Sequence, residues 1–287
     1  MKVNVLWEVA GLSDAVREKK KRLERVVRGC QPIAVAYSGG ADSTFLLISA
    51  ARVLGCENVG AFTVTSPLMP AAELRRARQI VRQYGIPHHC LSFPILDNKT
   101  FTANPRDRCY ICKKEMFRLL VSAARAKGYS CVCDGTNRDD TREFRPGSKA
   151  AQEEKIIRPL MESGFTKKNV RTLSRKMGLP TWNIPSQTCL ATRFPYGMGI
   201  SREEVKRLDT AEEYLRRRGF SRVRLRRIRE GIRAELAPGD IPKITRLPLR
   251  KKIVAYLKRK GYRFITVDLA GYRSGSMDTA SQAASIM

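Results

Sequence analysis

Residues 33–47 read IAVAYSGGADSTFLL, and this junction restricts the fold more than any other part of the chain. An apolar run stops at Ser38-Gly39-Gly40, and apolar residues resume with helical spacing behind Asp42 and Ser43. Such a run reads as a buried strand, the paired glycines as a tight turn, and the acid as the first turn of a helix. The same alternation recurs along the chain. A basic amphipathic helix is predicted over 12–27, a strand over 33–37, a helix from about 42 to 54, and a strand over 59–64. A helix over 71–85 ending at a glycine follows, then a short buried strand over 88–93. An irregular segment precedes a helix over 113–127 and a strand over 129–134. Strands that are almost continuously apolar, alternating with helices, imply an α/β fold whose parallel sheet is covered on both faces.

A parallel strand ending in SGG ahead of a helix collects unpaired backbone N–H groups and the positive end of the helix dipole at the carboxyl edge of the sheet. That arrangement is an anion cradle, in which Gly39 and Gly40 permit close approach and Ser38 and Ser43 add hydroxyls. The plain alternative is a strand, turn and helix with Asp42 as cap. No GKS or GKT follows, which excludes a Walker loop. SGGADS resembles the PP-loop, SGGxDS, of the ATP pyrophosphatase superfamily. The resemblance implies a Rossmann-like PP-loop domain that binds ATP, with Ala36 and Thr63 also near the nucleotide, and cleaves it between the α and β phosphates. A substrate oxygen is then adenylated, and a nucleophile later displaces AMP.

The eight cysteines bear on that nucleophile. Cys109 and Cys112 form a C-x-x-C in RCYICK, and Cys189 lies in IPSQTCLATRFPYG. Alone, a C-x-x-C is compatible with a redox pair, half of a zinc site, or two buried small residues. Cys131 and Cys133 alternate along a strand and read as structural, as do Cys30, Cys56 and Cys90. SGGADS, RCYICK, DGTN at 134–137, CLATRFPYG at 189–197 and GYRSGSM at 271–277 occur in the order and spacing of the LarE family, and the resemblance spans roughly 12–277. It implies an ATP-dependent sulfur transferase that adenylates a carboxylate of a pyridinium biscarboxylic acid mononucleotide and replaces oxygen by sulfur, in nickel-pincer cofactor synthesis.

The same resemblance assigns Cys109, Cys112 and Cys189 to a 4Fe-4S cluster with one iron left open. A single-cysteine type instead gives up its own sulfur, and zinc, with His88 or His89, stays as another reading. It further implies that Asp134, Gly135, Thr136 and Asn137 face the nucleotide, with Asp139 nearby. Asp42 or Asp139 would help hold Mg2+, and Arg193, Arg224 and Arg226 would bind phosphate. Glu212 and Asp240 correspond only approximately to active-site carboxylates, and GYRSGSM is expected to order a loop near subunit contacts. Two domains follow, a PP-loop domain over 1–185 and a smaller α+β domain over 186–287. In the latter a helix is predicted over 201–218, strands over 221–228 and 231–237, a helix over 250–260 and a strand over 262–269. Cys189 is then expected at the seam, against the ATP site.

The net charge is +28, from 55 Lys+Arg against 27 Asp+Glu. So basic a chain suits an anionic partner, whether RNA or a phosphorylated small molecule. A tRNA-thiolating PP-loop enzyme and an RNA-binding or cluster-carrying protein with an inactive ATP site are therefore the competing readings, and the intact SGGADS argues against the second. No secretory leader pattern or long apolar run is seen. A cytoplasmic location, a homo-oligomer and no membrane contact are expected, with the sulfide donor open.

Overall fold

The computed structural model describes residues 11–142, 147–184 and 188–273. The expected domain boundary at 185/186 and the SGSM end of GYRSGSM lie outside them. Along the chain come α1 (Asp14–Arg28), β1 (Ile33–Ala36), α2 (Ala41–Leu54), β2 (Val59–Thr65), α3 (Ala71–Tyr84) and β3 (His88–Ser92). Next are α4 (Lys99–Thr102), α5 (Arg108–Ala126), β4 (Cys131–Cys133), α6 (Gly147–Glu153), α7 (Pro159–Glu162) and α8 (Lys167–Lys176). Then follow α9 (Arg202–Arg216), β5 (Val223–Ile228), β6 (Gly231–Leu236), α10 (Ile241–Thr245), α11 (Leu247–Arg259) and β7 (Phe264–Val267).

The chain divides into two compact units, Met1–Ile95 with Asp107–Gln187, and Leu96–Arg106 with Thr188–Met287. In the first, the four strands are all parallel in the order β3-β2-β1-β4. Ile33, Val35, Ala61 and Cys133 join one buried cluster with residues of α1, α2, α3 and α8. The alternate positions Ala34, Phe62 and Val132 join another with Phe117, Leu120 and Ala124 of α5 and Ala150 and Ala151 of α6. The alternation of strand side chains thus loads both faces, as an α/β sheet requires. α2 is buried without interruption from Ser43 to Ala51, which is why its apolar residues surround the helix instead of forming a stripe.

Two local expectations are corrected. β3 is half-buried and Cys90 is exposed, because β3 is the sheet edge and only one side of an edge strand is covered. RCYICK is not part of an irregular segment. α5 begins at Arg108, with Asp107 at the N-cap position and the Tyr110 and Ile111 amides bonded to the Asp107 carbonyl. The C-x-x-C therefore lies in the first turns of a helix.

In the second unit β5 and β6 form an antiparallel hairpin and β6 pairs in parallel with β7. α9 buries Val205, Leu208, Ala211 and Leu215. The segment Leu96–Arg106 belongs here although it precedes α5 in sequence. The fully buried Asn104 explains this: its side-chain amide donates to the carbonyls of Pro195 at 2.7 Å and Met198 at 2.9 Å. Among the described residues no helix is long and apolar enough to cross a membrane.

Phe165 is fully buried with its ring 5.6 Å from that of Phe45 in α2. Phe165→Ala is expected to cost about 3–5 kcal/mol by urea denaturation, whereas Leu269→Ala, at a position 85% exposed, is expected to change stability by less than about 0.5 kcal/mol.

Candidate functional site

The strand β1 ends at Ala36, and Tyr37-Ser38-Gly39-Gly40 carries the chain into α2 with Gly40 extended at the N-cap position. Gly40 has no side chain to cap the helix, so the first amides of α2 are left for another acceptor. The serines organise the turn. Their hydroxyls lie 3.1 Å apart, the Ser38 amide donates to Ser43 Oγ at 3.3 Å, and the Gly40 amide donates to Ser38 Oγ at 3.3 Å. Gly39 adopts φ +74°, and a Cβ there would stand 3.0 Å from the Cβ of Ala77 in α3. The Gly39 carbonyl also accepts from Arg76 Nε at 3.1 Å.

The loop after β4 closes over the same helix start. A Cβ on Gly135 would lie 2.8 Å from the Ser43 backbone nitrogen, so only glycine lets the two backbones meet. Asn137, fully buried, donates from Nδ2 to Asp42 Oδ1 at 3.2 Å. Asp134 Oδ1 accepts from the Thr136 amide at 2.9 Å. Thr63 is buried and donates to the Tyr37 carbonyl at 2.8 Å, with His88 Nε2 also at 2.8 Å. Ala36, Ser38, Gly39, Gly40, Asp42, Ser43, Thr63, Gly135 and Asn137 thus belong to one corner of the first unit.

Asp42 lies beside a second carboxylate. Burial, and then the neighbouring Asp140, push its carboxyl above the ordinary value, against the lowering effect of Asn137. Asp140 is the partner that sequence reasoning missed. It holds the Asn137 amide at 3.1 Å and Lys167 Nζ at 2.9 Å. Asp139, in contrast, accepts the Lys167 amide at 2.8 Å and so caps α8. A carboxylate next to DGTN was visible in DGTNRDD, but not which of the two turns toward Asp42.

Cys109 and Cys112 stand one helical turn apart in α5, exposed and half-buried respectively. Cys189, exposed, immediately precedes a 3-10 turn over Leu190–Arg193 in the second unit. That turn is built on Arg193. Its guanidinium, fully buried, makes a bidentate pair with Glu212 at 2.8 and 2.9 Å and reaches the carbonyls of Thr188 at 3.0 Å and Cys189 at 3.3 Å. Further bonds run to the hydroxyls of Thr188 at 2.9 Å and Thr192 at 3.0 Å. The arginine expected to bind phosphate is therefore committed internally and positions the Cys189 loop. Arg226 is similarly held, by Glu235 at 3.1 Å and the Thr192 carbonyl.

Arg224 donates to the Val223 carbonyl at 2.8 Å. It is 4% exposed, and burial, then the like charge of Arg193, lowers it to about 10. Glu212 is a hub: it also accepts the Leu225 amide at 3.0 Å and Arg216 at 2.6 Å. Burial pushes its carboxyl up, but Arg193 and the surrounding guanidinium groups outweigh this and hold it below its ordinary value. Asp240 accepts from the Ser221 amide and hydroxyl, both at 3.2 Å, and so ties β5's approach to the turn before α10. Tyr272, from GYRSGSM, lies with its ring 5.4 Å from the Arg224 guanidinium.

A further group was not anticipated. Cys30, Cys131 and Cys133 bring their sulfurs within 4.8 Å of one another. Hydrogen bonds from the Cys131 and then the Cys133 thiol lower Cys30 to about 3, whereas Cys133 is raised well above the ordinary value. The sequence signal was the C-x-C on a strand that pairs with the strand following Cys30.

Two outcomes follow from these charges. Asp42 has a raised folded value, so its ionisation subtracts stability as pH rises from its unfolded value, about 3.9, through the folded one. Asp42→Asn is expected to leave the melting temperature of the unliganded protein at pH 7 unchanged or higher; a fall of several degrees would contradict the assignment. Glu212 has the opposite sign. Its contribution is complete above an unfolded value of about 4.5 and is lost as pH falls through the lower folded value. Glu212→Gln is expected to cost about 3–5 kcal/mol at pH 7 and to flatten the acid limb of the stability profile, both read from denaturant titrations.

No family model matches the chain. It is 41% identical to an uncharacterized protein of Synechocystis sp., over 85% of this chain and 91% of that one. It is 28% identical to a tRNA(Ile)-lysidine synthase of Bradyrhizobium diazoefficiens, over 80% of this chain and 59% of that one. To the pyridinium-3,5-bisthiocarboxylic acid mononucleotide synthase of Lactiplantibacillus plantarum it is 34% identical, over 92% of this chain and 96% of that one. With identity at that level across nearly the full length of both, and with the SGGADS turn built as a PP-loop, the chain belongs to the LarE family of PP-loop proteins.

Proposed function

We propose that this protein is an ATP-dependent sulfur transferase that converts a carboxylate of a pyridinium biscarboxylic acid mononucleotide to a thiocarboxylate. The observation that carries the reading is the start of α2, where uncapped amides, two serine hydroxyls and a half-buried Asp42 meet beneath Gly135. The relative named as a pyridinium-3,5-bisthiocarboxylic acid mononucleotide synthase supplies the acceptor class.

In this reading the amides of the SGGADS turn and the α2 dipole hold the phosphates of ATP. Asp42, with Asp140 beside it, would take Mg2+; two carboxylates that raise each other's proton affinity are relieved by a cation. A substrate carboxylate oxygen bonds to the α-phosphorus and pyrophosphate leaves. Hydrosulfide then adds at the activated carbonyl carbon, AMP departs with the oxygen, and the thiocarboxylate remains with release of a proton. Arg224 would receive the substrate's phosphate, and Arg193 holds the Cys189 loop in one pose.

Cys109, Cys112 and Cys189 would hold a 4Fe-4S cluster. The reading is supported by the two α5 thiols sharing one helix face and by the exposure of Cys109 and Cys189. Bound there, a cluster with three protein thiolates supplies one iron able to carry sulfide. The tRNA reading is favoured by the +28 charge and by the similarity to a tRNA(Ile)-lysidine synthase.

Protein purified without oxygen is expected to carry about four irons per chain, and Cys109→Ala, Cys112→Ala and Cys189→Ala each to lose iron and sulfur transfer while still releasing pyrophosphate. Asp42→Ala or Ser43→Ala should abolish AMP formation. Full transfer by both the Cys109 and Cys112 variants in colourless protein would replace the cluster by a sacrificial Cys189. Tight binding that distinguishes tRNA from other RNA at physiological salt, instead of weak binding that falls steeply with salt, would move the acceptor to RNA.

A further inference from the structure

The Cys30, Cys131 and Cys133 group shares no residue with the cysteines assigned above and is built by the sheet. β4 pairs in parallel with β1, Cys131 opposite Ile33 and Cys133 opposite Val35. Residues two apart on a strand share a face, so both sulfurs project to the side covered by α1 and α2, where Cys133 packs among the buried residues of the cluster containing Leu23, Val27 and Ile33. Cys30, at the exit of α1, enters the same face. Its exposure is 8% and that of Cys133 is zero, while Cys131 is half-buried. The Cys131 thiol donates to the Cys30 carbonyl at 2.8 Å, across 101 positions of sequence. No carboxylate or imidazole is part of the group.

We propose that Cys30, Cys131 and Cys133 form a binding site for one soft, thiophilic metal ion of the Cu(I) class. Three sulfurs from two distant segments converge on one point, and sulfur-only donors select soft ions over magnesium, calcium or manganese, which need oxygen. Three ligands suit an ion content with low coordination, whereas zinc in structural sites takes four. Sulfurs about 2.3 Å from a central ion in trigonal array stand about 4 Å apart, so sulfurs already within 4.8 Å of one another close around it with side-chain adjustment alone. The thiols release their protons on ligation. An ion here ties the chain entering β1 to the strand that runs into Asp134-Gly135, the loop that covers the start of α2.

The inference does not rest on the proposed reaction, and the test separates the two. The full chain carrying Cys109→Ser, Cys112→Ser and Cys189→Ser, reduced and oxygen-free, is titrated with Cu(I) against a chromophoric chelator. One equivalent is expected to bind, and the melting temperature to rise with occupancy. Adding Cys30→Ser or Cys131→Ser should weaken binding roughly tenfold or more, since even the loss of an outer-shell partner costs about 10–100-fold, and should remove the thermal shift. Cys131 is half-buried, so its serine variant tests the site even where Cys30→Ser disturbs the fold, as circular dichroism will show. Cu(I) affinity and thermal shift equal to the parent's in a folded Cys131→Ser variant would overturn the site, as would a parent that binds no Cu(I).

Discussion

The corner of the first unit at the start of α2 depends on backbones that approach more closely than any side chain would allow. Gly39 lies against Ala77 of α3, and Gly135 lies against the amide of Ser43. Between them the start of α2 is enclosed, its amides uncapped. A methyl group at residue 135 would open the gap between β4's loop and α2, and Asn137 would lose its reach to Asp42. Glycine here is a matter of space at Gly135 and of both space and positive φ at Gly39.

The second unit solves a different problem, that of holding an exposed cysteine in one place. It does so with buried charge. Arg193 and Glu212, both fully buried, lose their hydration, and that loss is offset by bidentate pairing and by bonds to loop carbonyls, the Leu225 amide and Arg216. Such an arrangement tolerates little displacement, because each donor or acceptor left without its partner would be buried and unsatisfied. The Cys189 carbonyl is one of the groups engaged, so the loop's pose is coupled directly to the core of α9 and β5.

Much of the fold was legible because its signals are local. Apolar runs, glycine stops and helical spacing identified β1, α2, β2, α3, α9 and the β5–β6 hairpin, with ends displaced by a residue or two. The misreadings arise where neighbours decide. HHCLSF reads as a buried strand, but exposure depends on its place at the sheet edge. RCYICK carries no strong helix-start signal, yet α5 begins ahead of it, where the Asp107 carbonyl accepts the first amides. Asp139 and Asp140 are adjacent and chemically identical, and only the geometry of the turn sends one to the Lys167 amide and the other to the Lys167 side chain and toward Asp42.

The sequence by itself determined the α/β class, the PP-loop junction and the family, because each resides in short contiguous motifs whose spacing the chain preserves. Tertiary structure alone decided which charges are occupied. RLRRIR offers several arginines, and nothing in it distinguishes Arg226, paired with Glu235, from Arg224, which bonds the Val223 carbonyl beside the like charge of Arg193. It also decided that Cys30 joins Cys131 and Cys133. Sulfurs about a hundred positions apart meet only because β1 and β4 pair in parallel, and long-range pairing is set by the packing of whole strands and helices, which no local pattern encodes.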